Sequence, residues 1–399
     1  MASGALECEA RSRWTILALL FAARVGIGFQ FQTLGSVSEA LAGDLRLSFA
    51  EIGTLIGLFM LPGLVLALPA GGLGHRASDR ILVTFGLMAL AVGGGFEAIA
   101  SGFSELAIGR ALCGIGFVFS TIYFTKMVAD WFAGKELATA MGVLVMSWPF
   151  GIAMGQIVHG WLAAEYSWRT AFVAASLYCA AAAVLVYSTY SSPPADPSLR
   201  SKAAPSTMTR REWRLVLTAS GVWGAFNAAY IVYLSFAPKV LTAGGLGPLR
   251  AAAVISIASW VMIFSGALCG QVADRSGKPD RVLYICLAVG ALSLLLLPHT
   301  NYAVALSLAF GLMGAAPAGI IMSLTAEAVA PERRAFGMGV FFSSYFFITA
   351  PAPAIAGWLF DRSGDPYLPI LFAVGLIAVT AISNLLFRAL QRGRPRRCA

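Results

Sequence analysis

Charged residues are scarce in this chain of 399 residues. Asp, Glu, Lys and Arg together make up 12% of it, whereas they make up about 25% of an average soluble globular protein. Hydrophobic residues account for 58% and the mean hydropathy is +0.78. A soluble globular protein of this length does not need so many apolar residues. The composition therefore excludes that class and predicts a protein surrounded mostly by lipid.

Histidine and cysteine are few and scattered. The three histidines, His75, His159 and His299, lie far apart, and no CxxC or Cys/His spacing of a disulfide framework or zinc site occurs. A phosphate-binding loop is missing as well, because the glycine run 93–95 lies inside an apolar stretch and follows no strand. These absences predict no metal, no cofactor and no enzyme chemistry.

Long apolar runs dominate what is present. A helix that crosses a bilayer takes about 20 apolar residues, and twelve runs reach that length. They lie near residues 14–36, 52–73, 81–101, 106–127, 138–163, 170–190, 214–238, 251–272, 281–298, 302–326, 336–360 and 368–388. The first run is too long for a cleaved signal peptide. The sequence therefore predicts an all-α membrane protein with twelve transmembrane helices.

The positive charge is distributed unevenly. The net charge is +9, and 21 of the 28 Lys and Arg residues fall on one side if both termini and the even-numbered loops share that side. The other side holds five. This bias predicts a cell inner membrane protein with both termini in the cytoplasm. The basic segment 392–397 is read as an anchor on anionic lipid, and nucleic acid is not expected as a partner.

Two short hydrophilic hinges, about 199 residues apart, divide the chain into similar parts. Residues 71–80 read GGLGHRASDR and residues 270–279 read GQVADRSGKP, each between two apolar runs. Six runs precede and six follow the proline-rich and serine-rich segment 191–212, which is read as a cytoplasmic linker. The pattern predicts two pseudo-symmetric six-helix halves, 1–190 and 213–399, with a substrate site between them near the midplane.

Both hinges resemble the signature Gly-x-Leu-Ala-Asp-Arg-x-Gly-Arg-Lys/Arg of the major facilitator superfamily. The second hinge matches it well, whereas the first has His75 where the family has Asp and Ser78 where it has Gly. The family's Arg-x-x-x-Gly-x-Gly pattern is also present, beginning at Arg110. The resemblance implies secondary active transport by alternating access, without ATP, in a monomer. Residues 28–32 and 126–132 look more narrowly like bacterial cyanate and nitroimidazole permeases.

The hinges of this family close the cytoplasmic side, so the resemblance implies gating residues. His75 cannot supply a permanent anion, and two interpretations stay open. The favoured one is a degenerate latch in which Asp79 or Asp130 substitutes, and the other is a gate tuned by protonation of His75. Candidate gating residues are His75, Arg76, Arg80, Asp130, Asp274, Arg275 and Glu327.

Arg24 is the most informative single residue, because it lies in the middle of the first apolar run. An arginine at the bilayer centre costs about 2.5–3.5 kcal/mol on insertion scales, so it should face the protein interior and have a partner. Gly28 and Phe31 share its helical face, with Gln32 at the edge. A guanidinium binds a carboxylate through two parallel hydrogen bonds. We therefore favour an anion site, the alternative being a structural arginine bound to a carbonyl or to Glu97.

Glu97 and Arg110 are the candidates for proton coupling. The resemblance assigns Arg110 either to proton handling or to structure. Glu97 is the acid that lies plainly within the first-half runs, near an outer end. It can pair with either arginine or reach the interface, and the interface is favoured.

Further substrate contacts are expected from neutral polar and aromatic residues. Small polar side chains also help helices to pack in membranes, so both roles stay open. These candidates are Thr121, Asn227, Tyr230, Ser344 and Tyr345.

The two arginines within the runs outnumber the single clear acid, which favours a small anionic substrate carried by proton symport or exchange. One alternative is a proton-coupled exporter of neutral or cationic drugs, which requires an acid in the cavity. Another is a membrane sensor or receptor that uses the fold without transport.

Overall fold

The computed structural model describes residues 2–73, 77–132, 136–192, 208–299, 301–330 and 333–392. Across these ranges the secondary structure is helical and contains no strand. Twelve helical segments are long and apolar enough to cross a membrane. The predicted all-α membrane fold with twelve spans is confirmed.

The described residues of the first half of the chain form eight helices. The second span is split between two of them, because Pro62 lacks a backbone N–H and starts a new helix. A short helix follows the first span and ends at Arg46, whose φ of 53° is left-handed. The helices are α1 Ala2–Ser36, α2 Ser38–Leu45, α3 Phe49–Leu58, α4 Pro62–Gly72, α5 Asp79–Ala98, α6 Phe103–Trp131, α7 Leu137–Glu165 and α8 Trp168–Thr189.

In the second half, the part of the chain that the structure describes forms eight more helices and one π-helical turn. Prolines again coincide with the interruptions, since Pro317 precedes α13 and Pro351 precedes α15. The π-turn Phe310–Gly314 lies inside the tenth span. The helices are α9 Arg210–Ala243, α10 Pro248–Ser276, α11 Pro279–Leu296, α12 Ala303–Ala309, α13 Ala318–Ala328, α14 Arg334–Thr349, α15 Ala352–Ser363 and α16 Tyr367–Arg392.

The helices pack into two compact units. The first comprises residues 1–47 and 58–198, and the second comprises residues 48–57 and 199–399. In the first, α1 packs on α7 and α8, and α5 packs on α6 and α8. In the second, α9 packs on α14 and α16. Most of the predicted linker 191–212 lies outside the described residues.

Glycines bring α1 and α7 into close contact in the first unit. A Cβ atom on Gly28 would lie 2.4 Å from the carbonyl oxygen of Trp148, and one on Gly151 would lie 2.3 Å from that of Val25. Only glycine permits such an approach, and small residues are the usual means of helix packing in membranes. The contact holds the middle of α1 against α7.

Residues 48–57 belong to the second unit, which they contact through the N-terminus of α3. Asp361 accepts hydrogen bonds from the backbone N–H of Phe49 at 2.9 Å and of Ala50 at 2.6 Å. Ser48 and Glu51 bind each other as a capping box. A carboxylate is favoured at a helix N-terminus by the helix dipole. These bonds satisfy donors that the first turn of a helix leaves free.

Candidate substrate and proton sites

Arg24 is buried in α1, with 8% of its surface exposed. Its Nη1 donates to the carbonyl oxygen of Leu144 and to Oγ of Ser147, both at 2.8 Å. Ser147 in turn donates to the Leu144 oxygen at 2.6 Å. Nε of Arg24 has no hydrogen-bond partner among the described residues. One nitrogen of the guanidinium is therefore anchored to α7 by neutral oxygens.

The residues predicted to share the Arg24 face are buried in contacts within the first unit. Gly28 packs against the α7 backbone, because a side chain there would clash. Phe31 lies in an aromatic cluster, 5.2 Å from the ring of Phe59 and 5.2 Å from that of Trp148. Gln32 is buried and donates to Oγ of Ser36 at 3.3 Å.

Glu97 and Arg110 form a fully buried ion pair in the first unit. Nε of Arg110 lies 3.1 Å from Oε1 of Glu97, and both side chains are 0% exposed. The amide of Gln30 donates to the other carboxylate oxygen at 3.2 Å. Arg110 also donates to the backbone oxygen of Gln30 at 3.3 Å, and its guanidinium lies over the ring of Phe59. The expected exposure of Glu97 at the interface is wrong.

Close packing of α5 on α6 explains this burial. A Cβ on Gly93 would lie 2.6 Å from the carbonyl oxygen of Gly109, and one on Gly109 would lie 2.6 Å from Cγ of Glu97. Two glycines thus bring the helices together and press Glu97 against Arg110. A pair of opposite charges in such a site is neutral overall, and protonation of the carboxylate would release the guanidinium. The arrangement can therefore hold one exchangeable proton.

The second-half candidates are hydrogen-bonded or packed within their own unit. Asn227 donates to the carbonyl oxygen of Trp223 in the same helix at 2.8 Å. The hydroxyl of Tyr230 lies 2.9 Å from Oγ of Ser259. The ring of Tyr345 is 6.3 Å from that of Trp223. Two further candidates, Ser344 and, in the first unit, Thr121, are half-buried.

The candidate gating residues fall into several groups. His75 and Arg76 lie outside the described residues. Arg80 lies over the ring of Tyr187 at 5.2 Å. Asp274 and Arg275 are exposed at the end of α10.

Two acid–base clusters occupy the helix ends beside the hinges. In the first unit, Lys126 binds Asp79 at 2.5 Å and Asp130 at 2.9 Å. In the second unit, Arg388 binds Glu327 and also Asp280, the latter at 2.9 Å. Asp79 and Asp130 were the two acids considered as substitutes for the Asp that His75 replaces in the first hinge. Both of them bind Lys126.

Several residues at these sites were not predicted. They include Ser147 beside Arg24, Gln30 beside Glu97, and the basic partners Lys126 and Arg388. Gln156 and His159 are two further polar side chains buried in α7. Their spacing of three residues places both side chains on one helix face, and this pattern in the sequence could have indicated that they are buried together.

Comparison with known proteins identifies the class. The Major Facilitator Superfamily sequence model matches residues 20–306 and 247–397, so the chain belongs to that superfamily. It is a multi-pass membrane protein of a transporter family, not of an enzyme family. A bacterial homologue of the human lysosomal transporter Spinster, solved in an inward-facing and unoccupied conformation, shares the fold with a TM-score of 0.70. It is 16% identical, and the match covers 95% of this chain and 96% of that one.

Individual relatives are distant in sequence, and their matches cover about three quarters or more of both chains. The chain is 23% identical to a hexuronate transporter of Bacillus subtilis, over 96% of this chain and 97% of the relative. It is 24% identical to a gallate transporter of Pseudomonas putida, over 78% and 76%. It is also 23% identical to multidrug resistance protein 1 of Bacillus subtilis, over 94% and 95%.

Proposed function

We propose that this protein is a secondary active transporter of a small organic carboxylate. The observation that carries the proposal is Arg24, a guanidinium buried in the middle of the first span whose described partners are two neutral oxygens. A buried charge is stable only with compensation, and a carboxylate supplies both the charge and the planar geometry.

The other intramembrane arginine does not add to this positive charge. Arg110 is neutralised by Glu97 at 3.1 Å. Among the buried charged side chains described in the first unit, Asp79, Glu97 and Arg110 each have a partner of opposite charge, whereas Arg24 has neutral oxygens. Hexuronate and gallate, for which two of the relatives are named, are both carboxylates and support the same substrate class.

Ligand-induced thermal stabilisation tests the proposal. Purified protein is heated with glucuronate, gallate, a cationic dye or no ligand, because a ligand at 100 times its Kd stabilises by about 2.7 kcal/mol. We expect a carboxylate to raise the melting temperature of the wild type and not of Arg24→Gln. Arg24→Lys keeps the charge but loses the paired hydrogen bonds, so its shift should be smaller.

The matched control is Arg169→Gln, which removes an arginine with a 40% exposed side chain at the start of α8. It should respond like the wild type. An equal carboxylate response in Arg24→Gln and wild type would refute the assignment of Arg24.

Drug export is the second candidate function, favoured by the relative named for multidrug resistance. It requires an acid that can bind a cation, and Glu97 is already held by Arg110 and Gln30. Stabilisation by the dye alone, abolished in Glu97→Gln, would establish this alternative. A sensor on the same fold would bind a carboxylate but show no counterflow of it in proteoliposomes.

The proposal extends to coupling, topology and gating. Glu97 and Arg110 couple transport to protons in a monomer of the inner membrane, with both termini cytoplasmic and the chain halves at 1–190 and 213–399. The two hinges, with the predicted gating residues, close the cytoplasmic side. Labelling of single cysteines placed in each hinge from either side of the membrane tests the topology.

A further inference from the structure

The guanidinium of Arg24 makes all of its hydrogen bonds to described residues through a single nitrogen. Nη1 carries two N–H groups, and two acceptors lie 2.8 Å from it, the carbonyl oxygen of Leu144 and Oγ of Ser147. Nε is buried without a hydrogen-bond partner among the described residues, and none of these residues accepts a hydrogen bond from Nη2. The donors of Nη1 are therefore occupied, whereas the edge formed by Nε and Nη2 is not.

Ser147 uses both sides of its hydroxyl group in this arrangement. The residue is fully buried, and its hydroxyl donates to the carbonyl oxygen of Leu144 at 2.6 Å. Because the hydrogen points at Leu144, an oxygen lone pair is left to accept from Arg24. A serine inside a helix can satisfy its hydroxyl with one bond to a preceding carbonyl oxygen. The folding of α7 therefore does not by itself require the second contact, the one with Arg24.

Two glycines fix the spacing of α1 and α7 one helical turn beyond this contact. Gly28 follows Arg24 by four residues, and Gly151 follows Ser147 by four residues. A Cβ atom on Gly28 would lie 2.4 Å from a backbone carbonyl oxygen of the other helix, and one on Gly151 would lie 2.3 Å from another. The two backbones are thus in direct contact, which holds the acceptors for Nη1 in place. A site whose donors are fixed before the ligand arrives loses less entropy on binding.

The unoccupied edge of Arg24 has the donor pattern that a carboxylate requires. The N–H of Nε and one N–H of Nη2 are parallel, and the two oxygens of a carboxylate accept such a pair. A neutral amide of the same shape has one acceptor oxygen, and its NH₂ group would face an N–H donor. The edge therefore discriminates a carboxylate from its amide as long as Nη1 is held on α7.

We propose that Ser147 is a positioning residue of the anion site, which holds Nη1 of Arg24 so that the Nε–Nη2 edge binds the substrate carboxylate side-on. Ser147 acts through Arg24 and does not itself contact the substrate. This inference rests on the proposed function of carboxylate transport and adds the residue that orients the guanidinium.

The experiment measures the Kd of the purified protein for a carboxylate and for its amide by ligand-induced thermal stabilisation. The pair is glucuronate and glucuronamide, or gallate and its amide if gallate is the carboxylate that stabilises the wild type. Ser147→Ala removes the acceptor, Ser147→Cys replaces it by sulfur, a weak acceptor, and Ser147→Thr keeps it. The control is Ser176→Ala, which removes a half-buried hydroxyl of α8 that donates to the carbonyl oxygen of Ala91 at 2.5 Å.

We expect the Kd for the carboxylate to rise about tenfold in Ser147→Ala and Ser147→Cys, because a hydrogen bond to a charged group corresponds to about that factor or more. Ser147→Thr and Ser176→Ala should bind the carboxylate like the wild type. The Kd for the amide, which cannot use both donors, should change less than that for the carboxylate. Adding Ser147→Ala to Arg24→Gln should cause no further loss, because Ser147 acts only through Arg24.

A carboxylate Kd in Ser147→Ala at or below that of the wild type would overturn the inference. A loss in Ser147→Thr as large as in Ser147→Ala, or equal weakening of carboxylate and amide, would assign the effect to packing and overturn it as well. These outcomes leave the proposed function intact if Arg24→Gln abolishes the carboxylate response. A wild type that binds no carboxylate, or an Arg24→Gln that binds it like the wild type, would instead refute the proposed function.

Discussion

Removing one member of the buried Glu97–Arg110 pair should be far more damaging than removing both. In Arg110→Met, the carboxylate of Glu97 would stay 0% exposed with the amide of Gln30 as its remaining described donor. Breaking a buried pair in this way costs about 3–5 kcal/mol, whereas replacing both partners by apolar groups is often close to neutral. Glu97→Leu should be similarly damaging, because it leaves the guanidinium uncompensated.

Reversible unfolding in mixed dodecylmaltoside and SDS micelles measures the three variants and the wild type as a double-mutant cycle. We expect the double variant to lose at most about 2 kcal/mol, so that the coupling energy is about 4 kcal/mol or more. Glu105→Gln, which removes an exposed acid at the start of α6, is the control and should change stability by less than about 1 kcal/mol. If the double variant loses the sum of the two single losses, the ion pair is not coupled and the reasoning fails.

Three further predictions concern packing, capping and pH. Gly28→Ala should lower stability by about 1–3 kcal/mol, because its Cβ would lie 2.4 Å from the Trp148 oxygen. Gly142→Ala, where the Cβ would meet nothing within 4 Å, should have no such effect in the same assay, and equal losses would contradict the packing argument. Asp361→Ala should cost about 0.5–2 kcal/mol by removing the acceptor for the first turn of α3, and unchanged unfolding would show that this cap is unimportant. Hydrogen bonds from α8 hold the pKa of Asp44 below its ordinary value of 3.8. The stability that Asp44 contributes is thus present above that value and is lost as the pH falls through the lower folded-state pKa. Melting temperatures between neutral pH and pH 3 should therefore converge for wild type and Asp44→Asn at the acid end, whereas parallel curves would contradict this.

The twelve spans could be predicted because hydropathy is a property of each segment alone. A run of about 20 apolar residues identifies a span without any knowledge of its neighbours. The splits of the second and eleventh spans were not predicted, although Pro62 and Pro351 mark them. Proline within an apolar run indicates that a break is permitted, but the neighbouring helices that satisfy the freed backbone groups decide whether it occurs.

The site was less predictable, because one helix's periodicity does not identify the helix that faces it. Burial of Arg24 followed from its position in the first run, but its partner Ser147 lies on α7, 123 residues away. Glu97 lies near the end of its span, where an acid normally reaches water. The glycine contact of α5 with α6 buries it instead, and that contact depends on two helices at once.

The sequence and the structure both indicate excess positive charge within the membrane spans, but only the structure locates it. Counting two arginines against one acid predicts a positive site but does not locate it. The structure pairs Arg110 with Glu97 at 3.1 Å and leaves Arg24 on neutral oxygens. The surplus is therefore a single charge at mid-span, whereas Glu97 lies at the C-terminal end of α5 and Arg110 lies near the N-terminal end of α6. Because the two groups lie at different depths, Arg24→Gln should change substrate binding, whereas Glu97→Gln should change the dependence of transport on protons.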